Sequence, residues 1–260
     1  METSSGLQDL IDRAAFLSTE HQQDMADGVG LAAWNVELTD QSFVFQTDPP
    51  TILSCHFLGS TSLDAGSWLW GWKNINDFPN AAVALAGSAR RYGEEHGIPE
   101  LTAEQTPLDE DSALDIGHRL TLAAKAISGK YAHYSCPSSD RSRRTWLLLE
   151  GPEVSLLDKP SAIRIPRVIT ETLEQGVLVD EHKALDSYAE LRGLNINWDT
   201  DRHVCLTTHD GELNIELDEG GRISRINIHA EGTPDAQPGT QQSPASGSDG
   251  IRGWLRRRNR

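Results

Sequence analysis

Cysteine is one of the rarest residues in this chain: Cys55, Cys136 and Cys205 are odd in number and far apart. That excludes a disulfide framework and fits a reducing compartment. Lysine is nearly as scarce, five residues against eighteen arginines, and 39 acids outweigh 23 bases to leave a formal charge of −16 over 260 residues. A body of that sign argues against nucleic acid, because phosphate contacts need clustered Lys and Arg, and its general effect is solubility. The preference for arginine over lysine points to a bacterial source. No stretch approaches the ~18 apolar residues of a membrane span. The opening METSSGLQDLIDRAAF sets acids among its apolar residues, unlike a signal peptide, so the expected location is the cytoplasm. Signatures of chemistry are missing too. There is no G-x-S-x-G elbow, no G-x-x-x-x-G-K-[ST] loop, no H-E-x-x-H and no C-x-x-C, and no cofactor is expected.

What the sequence does contain is patterned. Apolar residues make up 37% of it, enough for a buried core. Leu7, Leu10, Ile11, Ala14 and Leu17 recur at helical spacing behind Ser4 and Ser5, predicting a first helix that ends before Gly28 and Gly30. LAAWNVEL, SFVFQ, ILSCHFLG and SWLWGW then alternate as four short strands of an antiparallel meander. NAAVALAGSARRYGEEHG, with Asn80 as the expected N-cap, and EDSALDIGHRLTLAAKAISG follow as helices, and YAHYSC with RTWLLLE as a hairpin. Pro166 suits the first turn of a short helix, and Ala184, Leu185, Tyr188 and Leu191 mark another. LNINW, HVCLTT, ELNIEL and RISRINIH are strands with one wet face, joined by polar turns.

The fold class expected is therefore α+β: antiparallel sheets over 31–73 and 194–229, a middle hairpin at 131–150, and helices packed on one face. Residues 1–231 form the globular region, as one domain or as two similar halves, 1–150 and 151–231. A faint echo of helix, glycine and tryptophan-bearing strand occurs at both 7–46 and 180–217. Residues 232–249 lack Leu, Ile, Val and every aromatic, and so are expected to be a disordered linker.

In GSWLWGWKN, alternation sets Trp68, Trp70 and Trp72 on one strand face, neighbours ~6.6 Å apart, with Asn74 just beyond. Such a row serves either as core beneath helices or as a stacking platform for a ligand. No basic or polar cluster sits beside it in sequence, which favours core. Gly71, with no side chain in mid-strand, implies close approach of another backbone or of a ligand. The run Leu58-Gly59-Ser60 followed by Trp68-Leu69-Trp70-Gly71-Trp72-Lys73-Asn74 resembles an uncharacterised bacterial domain-of-unknown-function family with an LGS…WLWGWxN hairpin. The resemblance covers roughly residues 7 to 135 and implies no activity, ligand or catalytic residue.

Each cysteine has a histidine nearby: Cys55-His56, His133-x-x-Cys136 and His203-x-Cys205. Thiolate and imidazole are zinc's ligands, but neighbours on a strand point to opposite faces, so no metal site is expected. The acids of EQTPLDEDSALD lack the central glycine of a calcium loop and suit a helix N-terminus instead. The final GIRGWLRRRNR holds five arginines and no acid, leaving the preceding 249 residues at −21. Its Arg252, Trp254, Leu255, Arg256, Arg257, Arg258 and Arg260 are candidates for touching an anionic surface or folding back on the acidic body. The function expected is a non-enzymatic binding or protein-interaction module for a protein or small ligand, with Trp68, Trp70, Trp72 and Asn74 as its ligand-facing element. The alternative is a hydrolase whose acids and histidines only folding brings together.

Overall fold

The computed structural model describes residues 3–62, 64–107 and 113–230. It divides into two compact units, Met1–Asp158 with Val177–Arg192, and Lys159–Gly176 with Gly193–Arg260. The tail residues Arg252, Trp254, Leu255, Arg256, Arg257, Arg258 and Arg260, and the linker before them, lie outside the described residues.

The fold is α+β, with two antiparallel sheets. In the first unit, helix α1 (Ser5–Val29) starts where the Ser4 hydroxyl accepts the Leu7 N–H, and it runs through Gly28 instead of stopping before it, to be capped by Gly30, whose N–H donates to the Ala26 carbonyl. Strands β1 (Trp34–Glu37), β2 (Ser42–Phe45), β3 (Thr51–Ser62) and β4 (Ser67–Trp70) form the expected meander. Helix α2 (Asn80–His96) begins directly behind Pro79 with no side-chain cap, so Asn80 is its first residue and not its N-cap. A short turn α3 (Pro99–Thr102) leads to strand β5 (Gln105–Pro107), which extends the sheet beyond β4. After α4 (Ala113–Ser128), the hairpin β6 (His133–Pro137) and β7 (Arg143–Glu150) does not stand alone: β7 pairs with β3 from Ser54 to Ser62. A turn, α5 (Pro152–Ser155), precedes the excursion into the second unit, and α7 (Glu181–Arg192) returns to lie along α1.

The helices cover one face of this seven-stranded sheet. Leu7, Leu10, Ile11 and Ala14 of α1, Ala86 and Ala89 of α2, and Leu120, Ala123 and Ala124 of α4 close over Leu58, Trp68, Trp70, Trp146 and Leu148. On the opposite face, Tyr134 of β6 meets Phe43 of β2 at 5.0 Å and Trp34 of β1 at 5.3 Å between ring centroids. β2 and β6 are three strands apart, ~14 Å in a flat sheet. The sheet therefore curls, and its concave side holds a second aromatic cluster.

The second unit contains α6 (Ile165–Glu174), which buries Ile165, Val168 and Ile169, and the sheet β11-β10-β9-β8. Its strands are β8 (Asn195–Thr200), β9 (His203–Thr207), β10 (Gly211–Leu217) and β11 (Ile223–Ala230). Val204, Leu206, Leu213 and Ile215 are buried on one face while Glu212, Asn227 and His229 lie on the other, as the alternation predicts. The helix of the second sequence echo, α7, belongs to the first unit and the strands of that echo to the second, so the echo does not follow the unit boundary.

Candidate functional site

The tryptophan row does not stay on one strand face. β4 ends at Trp70, and Gly71–Lys73 is one turn of 3-10 helix, so the period of two stops before Trp72. Trp68 is 0% and Trp70 1% exposed, their rings meeting edge-on at 5.2 Å, and the Trp70 indole N–H donates to the Glu100 carbonyl at 3.0 Å. Neither ring can reach a ligand. Trp72 is half-buried at the rim, with the Arg90 guanidinium 4.5 Å above its ring, and Ile75 beyond it is 65% exposed. Asn74, in the left-handed conformation at φ 46°, spends its side chain on the loop: Oδ1 accepts the Phe78 N–H at 2.9 Å and Nδ2 donates to the Phe78 carbonyl at 2.8 Å. It closes a turn instead of facing a ligand. Gly71 answers to backbone as well, since a Cβ there would sit 2.5 Å from the Phe57 carbonyl oxygen.

The most unusual chemistry lies where α1, α4 and β6 meet. Lys125 is 0% exposed. Its Nζ donates to the Ser18 hydroxyl at 2.6 Å and lies 2.8 Å from His133 Nδ1, and no carboxylate pairs with it among the described residues. The lysine reaches this position because α4 is strongly apolar: Leu120, Leu122, Ala123 and Ala124 bring the whole stripe into the core, and the Lys125 stem goes with them. Burial pushes the Lys125 amine well below the usual lysine range, because it disfavours the charged form. Burial, reinforced by Lys125 and His118, likewise depresses His133.

The surroundings fix this group. Gln22 treats the backbone of β6 as a neighbouring strand would, its amide N–H donating to the His133 carbonyl at 3.1 Å and its oxygen accepting the His133 N–H at 2.9 Å. The His133 ring stacks on Trp146 at 6.2 Å and 10°, and Trp146 continues to Trp68 at 6.5 Å. His118 stands 6.0 Å from His133. A Cβ on Gly117 would meet the Trp146 indole at 2.5 Å, so the glycine lets α4 seat on that ring. A lysine beside a serine hydroxyl can serve as base to a nucleophile only where the hydroxyl donates to the amine, and here Lys125 Nζ donates to Ser18 Oγ. Here Ser18 is 2% exposed and no substrate carbonyl can touch it.

Other titratable groups are structural in the same manner. Burial pushes the Cys55 thiol up to about 11 and Cys136 up to about 12, the opposite of a reactive thiolate. His21, stacked on Tyr131 at 5.7 Å and bonded to the Val154 carbonyl at 2.9 Å, is lowered to about 4 by burial. The buried Glu20 carboxylate lies 2.9 Å from Arg192 Nε and accepts the Tyr188 hydroxyl at 2.9 Å, joining α7 to α1. His56 reaches Glu150 at 3.4 Å and His203 reaches Asp199 at 3.0 Å, so neither pairs with its neighbouring cysteine. Among the described residues no group of three or more His, Cys, Asp and Glu is placed to hold a metal ion. No helix among them is long and apolar enough to cross a membrane.

Sequence reasoning missed Ser18, Lys125 and His133 as a set. The available signal was Lys125 itself, one of only five lysines, standing between alanines in the apolar run TLAAKAIS. Nothing local marked Ser18 as its partner 107 positions away.

These observations define an α+β protein with a curled antiparallel sheet under one helical layer and a sealed lysine–serine pair within it. The chain belongs to DUF6882, a family of unknown function, whose match spans residues 8–152, more than half its length. No curated protein and no solved structure matches it. The matched segment includes Ser18, the tryptophan hairpin, Lys125 and His133, and stops before the second unit's sheet.

Proposed function

We propose that the chain is a non-enzymatic binding protein that engages a partner protein through the rim of the tryptophan hairpin, at Trp72 and Ile75. One observation carries this reading. Trp70 is sealed in the core with its N–H satisfied by Glu100, so the convergence of an exposed ring and titratable groups that a catalytic cleft requires does not occur there. The accessible part of the hairpin is an apolar and cationic edge, Trp72 under Arg90 beside exposed Ile75, which suits protein contact. A cytoplasmic, bacterial setting belongs to the same proposal and rests on composition.

The test is affinity capture from the native cell with the full chain, with Trp72→Ala plus Ile75→Ser, and with Trp68→Phe as a core control. Specific capture lost in the rim variant and kept in the core control is the expected result; identical capture by all three overturns the assignment of the surface. The Ser18–Lys125 pair favours one competing reading, a serine hydrolase that opens to its substrate. Turnover of activated esters by the full chain that disappears in Ser18→Ala would establish that reading and remove the non-enzymatic one.

A further inference from the structure

We propose that the C-terminal segment Gly250–Arg260 docks on its own chain, adding along the outer edge of β11 in the second unit. Three observations lead there. Among the described residues β11 is the last strand of its sheet, and over Ser224–Ala230 its side away from β10 is an edge without proline or lysine, a template for another strand. Its apolar side is incompletely covered: Ile226 is half-buried and Ile228 45% exposed, while their ladder partners Ile215 and Leu213 on β10 are fully buried. The stripe that forms the core of the sheet therefore runs out onto the surface at this edge.

Charge selects the occupant. Residues 193–230 hold seven acids and three arginines, and the acids next to β11 on the wet face are Glu212, opposite His229, and Glu216, opposite Arg225. Glu216 is bonded to Arg225 at 3.1 Å, which leaves Glu212 for an incoming cation. The segment 250–260 supplies five arginines and no acid. In sequence, Ile251, Gly253, Leu255, Arg257 and Asn259 alternate with Arg252, Trp254, Arg256, Arg258 and Arg260, so Ile251 and Leu255 share one parity and four of the five arginines the other. In the proposed pairing Ile251 and Leu255 meet the Ile226 and Ile228 stripe and the four-arginine set meets the acidic side.

Tether length makes the chain's own segment the favoured occupant. Nineteen residues, 231–249, separate the end of β11 from Gly250, and a chain of that length can reach up to ~60 Å. The eight residues of β11 span about 27 Å. A strand turning back along β11 thus lies within reach, at an effective concentration of order millimolar that a second copy of the chain does not match in dilute solution.

Hydrogen exchange decides it, comparing the full chain with one ending at Asp249. In the full chain the amides of 224–230 should exchange at least 10-fold more slowly than in the shortened one, at every protein concentration, with the difference shrinking at high salt. Free peptide 250–260 added to the shortened chain should restore the protection. Equal exchange in the two chains overturns the proposal, and so does protection that grows with protein concentration, which would assign the edge to a second copy. As an independent measurement, trypsin should cut at Arg256–Arg258 several-fold faster in a full chain carrying Ile228→Lys. An unchanged cutting rate also overturns it.

Discussion

Lys125 Nζ and His133 Nδ1 lie 2.8 Å apart inside the first unit, an amine and an imidazole sharing one hydrogen bond, with burial lowering the pKa of both. Burial disfavours the charged form of each, which eases the contact between two bases.

That relationship has a pH signature. Lys125 titrates near ~10.4 in the unfolded chain and well below that in the folded one, so the stability it contributes is complete above ~10.4 and is lost as pH falls through the unfolded value toward the folded one. Lys125→Met removes this linkage. The stability advantage of the variant over wild type should shrink by up to ~1.4 kcal/mol per pH unit between pH 7 and 8.5. Urea titrations of both proteins at several pH values in that window measure it; a constant gap would show that Lys125 keeps its proton in the fold.

The tryptophan row should separate into two energies. Trp68→Ala empties a fully enclosed site and should cost ~3–5 kcal/mol. Trp72→Ala removes a half-buried ring and its Arg90 contact, and ~1–2 kcal/mol is expected. Chemical denaturation gives both numbers. Equal losses would mean that Trp72 is core.

Gly71 should accept no side chain. In Gly71→Ala the Cβ meets the Phe57 carbonyl oxygen at 2.5 Å, and β3 or the turn must move. A cost of ~1–3 kcal/mol is expected. A Cβ added to Gly87, in α2, would have nothing within 4 Å, so Gly87→Ala should be neutral or stabilising by up to ~1 kcal/mol through helix propensity. Thermal melts of the pair test the contrast.

In the second unit, Asp210 organises the segment before α6: it accepts the Ser161 hydroxyl at 2.6 Å, the Ala162 N–H at 2.7 Å and the Thr208 hydroxyl at 2.8 Å. The Ser161 hydroxyl, then the Ala162 amide, hold its carboxyl down at about 2. Its folded pKa is depressed, so its stabilisation is present above ~3.9 and is lost as pH falls toward 2. Asp210→Ala should cost ~2 kcal/mol at neutral pH and remove that share of the acid sensitivity. Exchange of the amides of β9 and β10 in wild type and variant between pH 2.5 and 5 is the measurement.

Most elements were legible because each depends on a short-range rule. Leu7 to Leu17 keep helical spacing, Gly97, Gly129 and Gly193 take positive φ just past helix ends, and the strands of 194–229 alternate cleanly. The end of β4 was not legible. Trp72 continues the alternation in sequence, and what stops the strand is the approach of Phe57 and Leu58 to Gly71 from another part of β3. The role of Asn74 was hidden for a related reason: its turn partner, Phe78, is identified only by the positive φ that the turn imposes.

By itself the sequence determined the α+β class, the acidic body and the opposite charge of the last eleven residues, because composition and periodicity act locally and need no partner. Only the tertiary structure decided that β7 enters the first sheet beside β3, that Trp68 and Trp70 are sealed while Trp72 is not, and that Ser18, Lys125 and His133 share one site. Those outcomes depend on contacts between segments up to 107 residues apart. No periodicity within a single segment encodes which surfaces meet, and that meeting sets burial, and through burial the protonation of Lys125.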